Sequence, residues 1–193
     1  MDNENRLLLE AFLNNLRLKN NSQNTIDGYS YDIEKMFEKV NKNYKDITPQ
    51  DLNLYFLGMA DKSAKTIARR MAAVKSYFKW LKKNDYIKEL PTDKLDTPKM
   101  PKRLPKYLTE EEVHKLMDST KSLRNKAIIS LLFSSGMRIS ELWSLNRDTI
   151  DFDTKQMCII GKGNKERTCF MNTETKELLL QYLATRNDDN PAL

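Results

Sequence analysis

Leu131-Leu132-Phe133-Ser134-Ser135-Gly136-Met137-Arg138-Ile139-Ser140-Glu141-Leu142 is an apolar run that stops at a glycine and restarts behind an arginine. The apolar spacing predicts a strongly apolar helix over 123–135, carrying Ile128, Ile129, Leu131, Leu132 and Phe133, central to the core of a domain and ended by Gly136. A short helix over 139–145 follows. Arg138 then stands at the mouth of that helix with Glu141 one turn along. A guanidinium there can hold two phosphate oxygens in fork geometry while the acid orients it, or the two residues can form a structural ion pair. The spacing allows both.

Toward the C-terminus, 156–160 and 167–171 read as an antiparallel hairpin around the basic turn Gly161-Lys162-Gly163-Asn164-Lys165-Glu166-Arg167. Lys162 at its tip can act as a point charge beside a phosphate or give a proton to an alkoxide leaving group. A lysine at a hairpin tip also serves solubility alone. A turn centred on Gly163-Asn164 would set Cys158 opposite Cys169, with two reduced thiols favoured over a disulfide in a cytosolic chain. A last helix over 173–185 carries Leu178, Leu179, Tyr182 and Leu183, and the polar tail 187–193 is expected to fray. Upstream, Thr109-Glu110-Glu111-Glu112 is a capping box ahead of Val113, Leu116 and Met117, and opens this second domain.

The first half reads as four helices, over 4–19, 23–40, 48–59 and 63–83. Leu8, Phe12 and Leu16, then Ile26, Ile33, Met36 and Phe37, recur at helical spacing. Thr48-Pro49-Gln50-Asp51 supplies an N-cap, a first-position proline and an acid at the positive helix end. On the fourth helix Ile67, Met71, Val74, Phe78 and Leu81 form an apolar stripe. Lys65, Arg69, Ala72, Ser76, Lys79 and Lys83 lie opposite it. That basic face, broken by small residues, suits a phosphate backbone and equally suits plain solvation. Replacing Lys65, Arg69 and Lys79 is expected to leave stability almost unchanged. Pro91, Pro98, Pro101 and Pro105 among lysines predict an extended linker.

The net charge is +6, yet residues 62–106 alone hold 14 Lys/Arg against 4 Asp/Glu, so the rest of the chain is slightly acidic. Such concentration favours a polyanion partner. No run of about 18 apolar residues and no signal-peptide core is present, so the expectation is a cytoplasmic protein with no membrane contact. One histidine, His114, and two separated cysteines offer no zinc spacing, and no metal or cofactor is expected.

The arginine string closely resembles the Leu-Leu-Tyr-Ala-Thr-Gly-Leu-Arg-(Ile/Val)-Ser-Glu-Leu signature of tyrosine recombinases, the phage-integrase and Xer-type family. The hairpin string is similar to that family's Gly-Lys-Gly-Asn-Lys-Glu-Arg turn in every letter. Pro98-Lys99-Met100-Pro101-Lys102-Arg103-Leu104-Pro105 resembles the segment joining its two domains, and 63–81 its last core-binding helix. The resemblance implies a mainly α (α+β) chain in three parts. These are a four-helix SAM-like core-binding domain over 1–86, a basic linker over 87–106, and over 107–193 the first part of a mixed α/β catalytic domain with a small β-hairpin or sheet.

It also implies site-specific DNA recombination or integration through a phosphotyrosine link, without metal or nucleotide, by protomers that assemble as tetramers on double-stranded DNA. Arg138 becomes the first catalytic arginine, Lys162 the hairpin lysine that protonates the leaving oxygen, and Glu141 the supporting acid. Candidate DNA contacts are Lys62, Lys65, Arg69, Ser76, Lys79, Lys83, Lys102 and Arg103, with Lys165 and Arg167 on the hairpin. Nothing after Met171 matches the family's His-x-x-Arg box or its nucleophilic tyrosine. The chain therefore reads as a recombinase cut through its catalytic domain, expected to bind DNA but not to cleave it, with apolar surface around Leu132, Phe133 and 173–185 partly exposed. Two alternatives stay open: a non-catalytic DNA-binding regulator or remnant that competes for recombination sites, and a structural module whose Arg138 and Lys162 never meet DNA.

Overall fold

The computed structural model describes residues 1–100, 104–161, 163 and 165–193, and the chain divides into two units, Met1–Arg103 and Leu104–Leu193. In the first unit the expected four helices are present: α1 (Asn3–Leu18), α2 (Gln23–Val40), α3 (Pro49–Leu57) and α4 (Ala64–Lys83). Each begins behind a side chain that accepts a backbone N–H three residues on: Asp2, Ser22, Thr48 and Ser63. These caps satisfy donors that the first helical turn leaves unpaired. At Thr48 the bond is reciprocal, because Asp51 accepts from the Thr48 N–H at 2.9 Å.

The apolar stripes meet around Tyr77, which is fully buried. Its ring stands edge-on to Phe12 at 5.4 Å, Phe37 at 5.8 Å and Phe78 at 5.6 Å. Edge-to-face contacts of this kind align ring edges with the electron-rich faces of their neighbours. Asn5 is buried as well and joins α1 to the loop after α2. Its amide accepts from the Tyr44 N–H at 2.9 Å and donates to the Lys42 carbonyl at 3.0 Å. Part of the segment expected as a linker packs on this core: Ile87, Leu90 and Leu95 lie against it, and Lys75 Nζ donates to the Leu95 carbonyl at 2.7 Å. Among the described residues the proline-spaced stretch avoids helix, but Leu90 and Leu95 are apolar enough to be drawn onto the four-helix core.

The second unit contains α5 (Glu110–Ser119), α6 (Leu123–Ser135), α7 (Ile139–Trp143), β1 (Ile150–Asp151), β2 (Gln156–Gly161), β3 (Lys165–Phe170) and α8 (Thr173–Ala184). The capping box opens α5 as expected. The strands form one antiparallel sheet in the order β1-β2-β3. α6 packs on α8, and a buried hydroxyl pair, Ser130 and Thr175 at 2.7 Å, sits between the two helices. The core is Ala127, Leu131, Leu142, Leu145, Met157, Ile159, Cys169, Met171 and Leu179. Phe133, Leu180 and Trp143 remain exposed, Trp143 by 87%.

Two expectations are corrected here. The hairpin closes on the pair Gly161 and Lys165, which shifts the pairing by one residue from the assumed register, so Cys158 faces Thr168 and Cys169 faces Met157. A one-residue shift moves a side chain to the other face of the sheet, so Cys158 is exposed and Cys169 buried. The tail does not fray either. Ala192 bridges Asn146, the Leu193 N–H donates to the Leu145 carbonyl at 3.0 Å, and the Arg186 guanidinium gathers Asp188 and the carbonyls of Asn190 and Ala192. Among the described residues no helix is long and apolar enough to cross a membrane.

Candidate functional site

The arginine string builds a junction. α6 ends on Gly136, whose left-handed backbone (φ 62°) costs an L-residue but not glycine, and whose N–H closes onto the Leu132 carbonyl at 3.1 Å. Met137 is buried and anchors the turn. Arg138 caps α7 from an extended conformation, and its side chain stays 64% exposed.

Glu141 ties the site together. Its carboxylate is almost wholly buried and accepts from the Arg138 N–H at 2.7 Å and from Arg138 Nη1 at 2.9 Å. From β3, Arg167 adds a parallel fork, Nη1 to Oε1 at 2.9 Å and Nη2 to Oε2 at 2.8 Å. Arg167 first, then the Arg138 backbone, holds the Glu141 carboxyl down to about 2. Two guanidiniums around one carboxylate leave a local positive charge, and the outermost group is Arg138. It uses one of its five N–H donors on Glu141, and the others bond no described residue.

Gly161 makes room for this. A Cβ at that position would lie 3.0 Å from Arg167 Nη1 and 3.3 Å from Glu141 Oε1, so any side chain there would press on both partners of the cluster. The structure therefore joins the arginine string to the hairpin string through Glu141 and Arg167. Arg167 was read from sequence as a DNA contact; its guanidinium forms the fork on Glu141, and its side chain stays 39% exposed. The missed signal is a basic residue facing the same side as the glycine of its paired strand. Lys165 is exposed beside Gly161 in the sheet, and Lys162 lies outside the described residues.

On α4, Lys65, Lys79 and Lys83 are exposed, Ser76 is half-buried, and Lys62 bonds Asp61 at 2.7 Å. Lys102 and Arg103 lie outside the described residues. Arg69 corrects an expectation. Its Nη1 and Nη2 both donate to Asp32 of α2, the second at 3.0 Å, and that carboxylate is completely buried. Arg70 Nε stands 3.6 Å from the same carboxylate. Burial pushes the Asp32 carboxyl up, against the pull of both arginines. Arg69 is thus not a dispensable surface charge, because its loss strips a buried carboxylate of its fork. Asp32 sits within the apolar stripe of α2, between Tyr29 and Met36, and a lone acid there signals an unseen cation partner. Among the described residues no group of three or more His, Cys, Asp or Glu could hold a metal ion.

Comparison with known proteins matches both units. Residues 9–85 match the family model described as "Phage integrase, N-terminal SAM-like domain", and residues 106–192 match "Phage integrase family". Tyrosine recombinase XerC of Herpetosiphon aurantiacus is 33% identical over 204 residues, which cover 96% of this chain and 67% of that protein. Tyrosine recombinase XerA of Pyrococcus horikoshii is 37% identical over 191 residues, covering 96% and 63%. Tyrosine recombinase XerC of Leptospira interrogans is 31% identical over 196 residues, covering 94% and 63%. The chain thus spans a little under two thirds of most of these relatives. Two solved structures share the fold at a TM-score of 0.73. One is the Tn1549 transposon integrase in complex with transposon right end DNA, 20% identical over 96% of this chain and 67% of that one. The other is a lambda integrase tetramer bound to a Holliday junction, 16% identical over 93% and 57%.

Proposed function

This chain belongs to the tyrosine recombinase family, and from that premise we propose that it serves site-specific recombination or integration of double-stranded DNA, with Arg138 gripping the scissile phosphate. The observation that carries the reading is the cluster itself. A carboxylate held by four N–H donors fixes an arginine whose side chain remains 64% exposed. An ordinary structural ion pair would have no need of the second guanidinium of Arg167, which takes up the acid and leaves Arg138 in excess.

In the proposed chemistry a tyrosine hydroxyl attacks a DNA phosphodiester. The new bond joins tyrosine oxygen to phosphorus, and the bond to the 5′ oxygen breaks. Arg138 meets the charge that grows on the non-bridging oxygens, and Lys162 gives its proton to the departing 5′ oxygen. The reverse attack by another strand's 5′ hydroxyl rejoins the DNA. No tyrosine of these 193 residues is assigned as nucleophile, since none lies in the family's sequence context. The exposed lysines of α4, and the basic stretch that follows, are the proposed grip on the duplex backbone, and further protomers are the proposed partners on DNA.

The test is trapping on a nicked suicide duplex. Residues 1–193 are expected to form no covalent adduct, while a chain extended downstream so as to supply the nucleophile is expected to form one. In that longer protein Arg138→Ala should slow cleavage about 10²-fold or more, the scale of losing one oxyanion donor. Full cleavage by Arg138→Ala would refute the role given to the cluster. An adduct from the 193-residue chain would reveal a nucleophile within it, with Tyr182 the first to replace.

A further inference from the structure

Among the described residues Asp32 is the fully buried carboxylate that faces two arginines, two positive charges set against one negative. Arg70 is the more distant and more buried of the two. Its side chain is 17% exposed, its Nε lies 3.6 Å from Asp32 Oδ1, and its guanidinium carbon sits 5.8 Å over the Tyr31 ring. Arg69, the next residue of α4, reaches the same carboxylate with two nitrogens yet keeps half of its side chain in solvent. It shares the basic face of α4 with exposed Lys65 and Lys79 and half-buried Ser76. Gly28 lies one turn before Asp32 on α2, where a Cβ would stand 3.8 Å from Arg69 Nη1, so the guanidinium passes close over the helix backbone.

We propose that Asp32 is a positioning residue for DNA: its buried carboxylate holds the Arg69 guanidinium as a preset phosphate-binding fork on the exposed stripe of α4. This rests on the reading of that stripe as a DNA contact. Two of the five guanidinium N–H donors are spent on Asp32, and three remain for phosphate oxygens. A planar donor set already fixed in place loses less side-chain freedom on binding than a lysine does. Lys65 and Lys79 supply charge along the stripe, whereas Arg69 supplies direction.

The rival role for Asp32 is neutralisation, and the two roles predict opposite signs. Asp32→Asn raises the net charge by one. If the carboxylate only cancels charge, the variant should bind DNA about eightfold tighter near 0.1 M salt, from one added unit of counterion release. If it aims Arg69, the variant should bind about tenfold more weakly despite the added charge, the scale of one lost charge-assisted hydrogen bond. The assay is fluorescence anisotropy of the 193-residue chain on a short duplex of random sequence, with folding checked by circular dichroism.

Arg69→Lys conserves charge and removes the fork. It should weaken binding about tenfold with an unchanged salt slope. On that background Asp32→Asn should tighten binding, because no fork is left to lose. Tighter binding by Asp32→Asn alone, or wild-type affinity in Arg69→Lys, would overturn the inference. Should Asp32→Asn not fold, Arg69→Lys decides. Binding of wild type that ignores salt would overturn the DNA reading itself, and this inference with it.

Discussion

Replacing Lys65, Lys79 and Lys83 together with alanine removes the three exposed lysines of the α4 stripe and leaves Arg69 on Asp32. All three side chains are in solvent, so each change should alter stability by less than about 0.5 kcal/mol. The effect on DNA should be much larger. If α4 and the basic stretch after it neutralise five or six phosphates, log K of wild type falls with log salt at a slope near −5. Three lost contacts reduce that slope by about 2.7, leaving it near −2, and weaken binding near 0.1 M salt by about 500-fold. Anisotropy titrations at several salt concentrations give both quantities. A matched control removes Lys19, Lys39 and Lys121, exposed lysines dispersed over the chain, and should change the slope by less than about one unit. Equal losses in the two triple variants would show that total charge, not the α4 face, governs binding, and would refute the placement of the duplex. An unchanged slope in the α4 variant would refute it more directly.

Two further outcomes follow from the ion pairs. Arg69→Ala should cost about 1–3 kcal/mol in urea unfolding, because Asp32 keeps only the more distant Arg70, whereas Lys65→Ala should be close to neutral; equal midpoints for the two would contradict the Asp32 geometry. The second unit should lose stability as pH falls. Glu141 is held down to about 2, so its contribution is complete above the ordinary glutamate pKa and disappears as the pH drops toward 2. Glu141→Gln should abolish that part of the acid sensitivity, and identical pH profiles for variant and wild type between about pH 4.5 and pH 2 would exclude it.

Much of this protein is written locally. Helix starts at Asp2, Ser22, Thr48, Ser63 and Thr109 depend on groups three residues apart, and apolar stripes at helical period depend on a turn or two of chain. Gly136 stops α6 because one residue there must turn left-handed. Such signals survive without knowledge of the partner surface, as do the two strings that carry the family resemblance. The choice of partner for each charge does not. Glu141 meets Arg138 three residues away, which spacing could suggest, but it meets Arg167 across 26 residues only because β2 packs beside α7 at a glycine and β3 pairs with β2. Asp32 and Arg69 are 37 residues apart and meet only because α2 packs on α4. The hairpin register is the same kind of case. Composition admits a turn centred on Gly163 or between Gly163 and Asn164, and the one-residue change of register puts Cys158 and Cys169 on opposite faces of the sheet. Local propensity and period therefore determined the elements and the motif positions. Packing decided which buried carboxylate receives which guanidinium, since desolvating an acid costs far more than any local preference and only the assembled fold can bring the cation that offsets it.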